Sequence, residues 1–206
     1  MTLQNRVNPF GEIIADPARG LFTGNRGIIH DPETRTLTKR RWTSKAWIIC
    51  ALEWKAVRRT PMAGRSWTEL FFADEVTALA AGHRPCFECR RERATAFAAA
   101  FAGNGAACPA KDMDAKLHSQ RLAAGNAATQ ISMMNLPGLP DGAMIASEGR
   151  AFALKGRRAL EWTFGGYMPP SALSDLARAP ITLITPAATL TALRQGYQPQ
   201  WHPSAG

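Results

Sequence analysis

The order of local signals predicts an α+β fold, with N-terminal strands, a helix-flanked cysteine turn and a C-terminal antiparallel β region. Three observations carry that expectation. The first forty residues are broken by Asn8-Pro-Phe-Gly, Asp16-Pro, Thr23-Gly-Asn-Arg-Gly and Asp31-Pro, which read as turns between short strands. The middle of the chain is rich in alanine and punctuated by helix-stopping glycines. Beyond residue 142, apolar residues recur at every second position. Strands, helices and strands in blocks argue against a repeating βαβ architecture. A chain of 206 residues buries a sizeable core without disulfides. On these signals it divides into a region 1–125 and a β-rich region 126–206, expected to pack as one unit.

Each element has its own reason. In Ala46 to Lys55 the even positions Ala46, Ile48, Cys50, Leu52 and Trp54 are apolar, while Glu53 and Lys55 are charged. That alternation predicts a strand whose even face, Cys50 included, points into the core. A helix follows from Asp74 to Ala81, with Asp74 as N-cap and Gly82 as the residue that turns the chain out of it; Pro85 prevents its resumption. Arg90 to Phe101 and Asp112 to Ala124 read as further helices, the second ended by Gly125, with a loop from Asn104 to Lys111 between them. Strands are expected at Ala143–Ala146, Arg150–Leu154, Leu160–Phe164 and Ile181–Thr185, the middle two joined by Lys155-Gly-Arg-Arg. Gly165-Gly-Tyr-Met-Pro-Pro170 reads as a turn, and a last helix follows Thr185-Pro-Ala-Ala and stops at Gly196.

The formal net charge is +9, and the first sixty residues hold 11 of the 25 Lys and Arg against 5 of the 16 Asp and Glu. The surplus is densest at Lys39, Arg40, Arg41, Lys45, Lys55, Arg58 and Arg59, with Trp42, Trp47 and Trp54 interleaved. Basic side chains beside flat aromatic ones suit a phosphate backbone with unstacked bases, so a nucleic-acid partner, DNA first, is expected. The plainer alternative makes the charges a solvated face and the tryptophans core. No apolar run reaches the roughly 18 residues of a membrane span. The N-terminus lacks the pattern of a secretory signal, so a cytoplasmic protein is expected, and its four cysteines are better read as metal ligands or nucleophiles than as disulfides.

The strongest local motif is Cys86-Phe-Glu-Cys89. Two cysteines on a tight turn suit two corners of a tetrahedral Zn2+, and Arg84, Arg90 and Arg91 favour the thiolates while extending the basic, nucleic-acid-binding surface around the turn. Cys50, 36 positions upstream of Cys86, is the expected third ligand. His30, at the end of an N-terminal strand, is the first choice for the fourth, ahead of His83, Cys108 and His118. Asp114, His118 and Arg121 fall at i, i+4 and i+7 on one helix face. Asp114 and His118 are therefore catalytic candidates together with Cys50; the plainer reading is a solvated face with an ordinary ion pair.

The segment Ala78-Leu-Ala-Ala-Gly-His-Arg-Pro-Cys-Phe-Glu-Cys89, with Phe71-Phe-Ala-Asp-Glu75 before it, resembles the second half of the zinc-binding domain of the Ada family of bacterial adaptive-response proteins. The likeness covers about residues 71–91. It implies that Cys86 and Cys89 are zinc ligands, that the region binds DNA, and that the protein has a role in DNA repair or processing, since in that family a zinc-bound cysteine takes a methyl group from a backbone phosphotriester. Here Cys50 stands alone where the family has a Cys-x-x-x-Cys pair, and His83 replaces an aromatic residue. Pro85-Cys-x-x-Cys also resembles half of the zinc site of nucleoside and nucleobase deaminases, but Cys50-Ala-Leu-Glu53 has one residue more than that family places between ligand and proton-shuttling glutamate. A zinc-dependent nucleic-acid-binding protein is the expectation; a deaminase-type hydrolase and a purely structural zinc protein are the alternatives.

Overall fold

The computed structural model describes residues 2–56, 58–103, 106–124, 129–176 and 179–206. In chain order the first part folds as β1 (Gln4–Val7), β2 (Ile13–Ala15), β3 (Phe22–Asn25), a small β4–β5 pair (His30–Asp31 and Thr36–Leu37), β6 (Ile48–Ala51), β7 (Leu70–Phe72), α1 (Glu75–Ala80), β8 (Arg84–Pro85), α2 (Arg91–Ala102) and α3 (Ala110–Ala124). Six of these strands form one sheet in the order β2-β1-β7-β3-β6-β8. It is mixed: β1 runs parallel to β7 and β6 parallel to β8, the other pairs being antiparallel. The second part supplies β9 (Gln130–Ile131), β10 (Met144–Ser147), β11 (Arg150–Lys155), β12 (Arg158–Thr163), β13 (Gly166–Tyr167), β14 (Ser171–Ala172), β15 (Ile181–Leu183) and α4 (Ala187–Arg194). These strands form an antiparallel sheet in the order β13-β12-β11-β10-β15-β9, with β14 beside β12. The architecture is α+β, as the blockwise signals predict.

Local chemistry sets the boundaries. The Asp74 carboxylate accepts the Thr77 N–H at 2.8 Å, capping α1, and Gly82 takes a φ of +82° beyond its end. Helix α2 runs to Ala102 and stops at Gly103, with a φ of +72°. Helix α3 starts at Ala110, two residues before the expected Asp112, because the Pro109 carbonyl already accepts from Asp112 and Met113. Strand β12 begins two residues early, since the β11–β12 turn is only Gly156-Arg157, both at positive φ (54° and 61°). Glu148-Gly149 makes the β10–β11 turn in the same way, with φ of 52° and 75°. Two residues at positive φ match the twist of the strands they join. The helix stop at Gly125, the loop start at Asn104 and the boundary between 125 and 126 lie outside the described residues. Among the described residues no helix is long and apolar enough to cross a membrane.

One hydrophobic cluster runs from the first sheet (Ile49, Leu70, Phe72) through the helices (Phe97, Met113, Leu117) to the second sheet (Ile145, Phe152). Polar contacts reinforce the junction at the start of α1. The buried Asp74 accepts from the Tyr167 hydroxyl at 2.9 Å and from the His202 backbone N–H at 3.0 Å. Tyr167 of the Gly-Gly-Tyr turn is thus buried and serves as a structural donor. Glu75, 0% exposed, pairs with Arg90 at 3.0 Å and Arg93 at 3.1 Å and accepts from the Tyr197 hydroxyl and the Gln200 N–H at 2.6 and 2.8 Å.

Candidate metal centre

The parallel pairing of β6 with β8 assembles the cysteines. Ile48 lies opposite Arg84 and Ile49 opposite Pro85, and the Cys86 N–H continues the ladder to the Ile49 carbonyl at 2.9 Å. Cys50 and Cys86 therefore emerge side by side, and the turn that follows swings Cys89 back to them. All three Sγ atoms lie within 4.8 Å of one another, each residue half-buried. Gly24 on β3 makes the seating of β6 possible, because a Cβ at that position would collide with the Ile48 carbonyl oxygen.

Backbone N–H groups point at two of the sulfurs. The Glu88 N–H donates to Cys86 Sγ and the Ala51 N–H to Cys89 Sγ, both at 3.4 Å. The Cys86 thiol is held far below its ordinary value because the Cys50 and Cys89 thiols donate to it, whereas Cys50 is pushed far above because its proton is shared with Cys86 and Cys89 and is partly buried. Such a group of thiols could hold a thiophilic metal ion, to which it would offer three soft donors. Among the described residues no fourth Cys, His, Asp or Glu joins the group.

The three cysteines line a cleft of about 470 Å3. Here the expected phase of β6 is corrected. Ile49, 0% exposed, faces the core, while Ile48, Cys50, Leu52 and Trp54 line the cleft. An apolar stripe on a strand has the same period whether it meets a core or a binding cleft, and at this position it meets the cleft. Lys55 lies over the Trp54 ring and Arg59 over the Trp67 ring, 5.4 and 5.0 Å from the centroids.

The other residues singled out by sequence fall elsewhere. His30, expected as fourth ligand, is buried at the base of a loop, where its ring nitrogens meet Thr68 Oγ1 at 2.6 Å and the Gly64 carbonyl at 3.1 Å. Cys108 lies outside the thiol group. Arg84 and Arg90, expected to contact nucleic acid, are buried and spoken for. Arg84 makes a two-pronged bond to Asp114 (2.8 and 2.9 Å), and Arg90 pairs with Glu75. Asp114 and His118 are not in the cleft lining, and their helix face is docked, not solvated. His118 packs against Trp42 with ring centroids 4.5 Å apart, and Arg121 donates to the carbonyls of Gly82 and Lys45 at 2.6 and 2.9 Å. The face is polar yet docked, because Asp114 is paired with Arg84 and Arg121 is held by backbone carbonyls. Lys39, Arg40, Arg41, Lys45, Arg58, Arg59 and Arg91 are exposed. Of the tryptophans, Trp47 is core, between the Arg26 and Arg121 guanidinium groups at 3.8 and 4.0 Å, while Trp42 and Trp54 are each 39% exposed.

His83 is 0% exposed and accepts from Arg26 Nε at 3.2 Å. Its other ring nitrogen faces the Ala78 carbonyl at 3.2 Å, so the neutral ring carries its proton at Nδ1. Burial, then the charges of Arg26 and Arg121, hold its pKa well below the ordinary value. A histidine depressed in the folded state contributes stability above its unfolded pKa of about 6.5 and withdraws it as pH falls. Denaturant unfolding at a series of pH values should therefore show the wild type losing stability below about pH 6.5, with that part of the loss absent in His83→Gln.

Three lining residues on the approach to and along β7 went unread in the sequence as part of a cleft. Trp67, Glu69 and Phe71 face the cleft, while Thr68, Leu70 and Phe72 between them are 0% exposed. The alternation into β7 is the signal that finds them. It also makes Phe71 and Phe72 strand residues, ahead of the helix at Glu75. Fold and centre together define an α+β protein with three clustered thiols that could hold a metal ion, on one wall of an aromatic cleft lined by Lys55 and Arg59 and by Glu69 and Glu88. In comparisons with protein-family models, curated proteins and solved structures, nothing matches this chain.

Proposed function

We propose that Cys50, Cys86 and Cys89 hold a Zn2+ ion and that the cleft beside it binds nucleic acid, DNA in the first instance, in a repair or processing role. The observation that carries this reading is the common cleft, in which the thiol group shares its lining with Trp54, Trp67, Lys55 and Arg59. Thiolates select a soft or borderline ion, and zinc is the usual one at such turns. Indole rings stack on unpaired bases, and the cations beside them meet phosphate. The short Ada-like segment supports the repair role. The test is a titration of single-stranded and duplex DNA across salt concentrations. Affinity should fall steeply with salt, and Arg58→Ala/Arg59→Ala should reduce the slope of log K against log salt by about 2. Salt-independent or absent binding overturns the proposal.

A second reading draws on the three-ligand count, because catalytic zinc sites keep one position open for water or substrate. With Glu69 in the same cleft, that centre would suit a deaminase-type hydrolase. This reading requires ammonia release from a base or nucleoside; loss of turnover in Glu69→Ala would support it.

A further inference from the structure

Glu69 is the most unusual lining residue. It is 6% exposed and meets no Lys or Arg within ion-pair distance among the described residues. Its hydrogen-bond partner is the Met62 N–H, 2.9 Å from Oε2. Met62 holds a φ of +59°, a left-handed conformation that a side-chain-bearing residue adopts at a cost, and is itself 0% exposed. The segment before Glu69 is further pinned by Arg35, which donates to the Pro61 carbonyl at 2.9 and 3.1 Å, and by His30 at Gly64 and Thr68. A carboxylate set so rigidly, with acceptor capacity left over, is a recognition group for a donor-rich ligand edge.

Asn25, on the same cleft, provides the opposite polarity. It is a lining residue whose side-chain carbonyl accepts the Gly27 N–H at 3.2 Å, so its amide NH2 is the part with donor capacity to offer a ligand. The lining therefore offers an acceptor-only carboxylate, an amide donor and two indole rings in about 470 Å3, a volume that suits one nucleoside. Among the common bases only guanine presents two adjacent donors, N1–H and the 2-amino group, next to an acceptor, O6. Adenine and cytosine each place a single amino donor beside a ring acceptor. An unpaired base exposes that edge, and a splayed base on aromatic side chains is a recurrent mode of single-strand recognition.

We infer that the cleft reads one unpaired guanine base, with Glu69 accepting from N1–H and the 2-amino group, Asn25 donating to O6, and Trp54 or Trp67 stacking on the ring. This rests on the nucleic-acid reading above and makes it specific to a base. The ligand is bound, not altered, so no bond is made or broken.

The experiment uses the zinc-loaded full chain and nine-residue oligonucleotides of thymidine carrying one central dG, deoxyinosine, dA, dC or dT, followed by tryptophan fluorescence. The dG strand should bind roughly tenfold more tightly than all-dT, in keeping with the discrimination of a two-pronged base contact. Deoxyinosine, which lacks only the 2-amino group, should lose most of that gain. Glu69→Gln should bring dG to within about threefold of all-dT, both strands being measured on that variant. Equal affinities for all five strands overturn the base assignment and leave general nucleic-acid binding standing. No binding of any strand overturns both. A guanine preference that persists undiminished in Glu69→Gln overturns the role of Glu69, and the inosine comparison, which needs no variant, tests the edge even if that variant fails to fold.

Discussion

Cys50→Ser and Cys86→Ser should each bind zinc more weakly by roughly a hundredfold or more, beyond what loss of an outer-shell partner costs. Cys108→Ser and His30→Ala should retain the wild-type affinity. The distinction follows from geometry. Cys50, Cys86 and Cys89 converge within 4.8 Å, Cys108 stands apart, and His30 spends its ring nitrogens on Thr68 and Gly64. Competition against a chromophoric chelator measures the affinities, and an unchanged Cys50→Ser value would remove the proposed ligand set. The same assay has a pH arm. The ion displaces protons shared among the sulfurs, so affinity should fall as pH falls and binding should release protons. Loss of zinc from His30→Ala alone would show that the loop, and not the thiol group, governs loading.

The largest effect on stability is expected at Glu75. Replacing it with alanine should cost about 3–5 kcal/mol, because Arg90 is then left buried without a counter-charge while the Tyr197 hydroxyl and the Gln200 N–H lose their acceptor. The arrangement need not be better than an apolar one of the same shape; the cost arises from breaking it on one side only. Glu75→Gln, which keeps an acceptor of the same size, should recover part of the loss. Urea unfolding with an unchanged m-value checks this. Equal stability of Glu75→Ala and wild type would mean that the four contacts seen here do not persist in solution. Since Arg90 directly follows Cys89, the alanine variant should also loosen the cysteine turn and slow zinc loading.

Residues with a local reason for their conformation were readable before the fold was seen. Asp74 and Gly82 bracket α1 because one caps with its own carboxylate and the other accepts a left-handed turn, both decided within a few residues. The grouping of Cys50 with the Cys86–Cys89 turn was also legible, since two thiols at that spacing need partners and one other cysteine lay on a strand. What escaped was long-range. The direction of the even face of β6 depends on what packs against it, and Trp54 can stack on a ligand as well as on a core. The pairing of Arg84 with Asp114 and of Arg90 with Glu75 depends on tertiary contact between residues 30 and 15 positions apart, so arginines that look available in sequence are used up in the fold. Glu69 is the reverse case, an ordinary surface residue by composition that the Met62 turn fixes in the wall of the cleft.

The acidic start of α1 also bears on how the protein is made. Asp74 and Glu75 find their buried partners at Tyr167, Tyr197, Gln200 and His202, more than 90 positions later in the chain. While residues 167–202 are still to be synthesised, the two carboxylates have their near partners, Thr77 for Asp74 and Arg90 and Arg93 for Glu75, but lack the donors that Tyr167, Tyr197, Gln200 and His202 bring. The strand and turn that bring the three cysteines together therefore emerge from the ribosome well before the structure around them can close. Pairings of such long sequence separation slow folding and prolong the exposure of unfinished surface. The contacts that close around α1 thus form late in the synthesis of this region, whereas the three cysteines lie before residue 90.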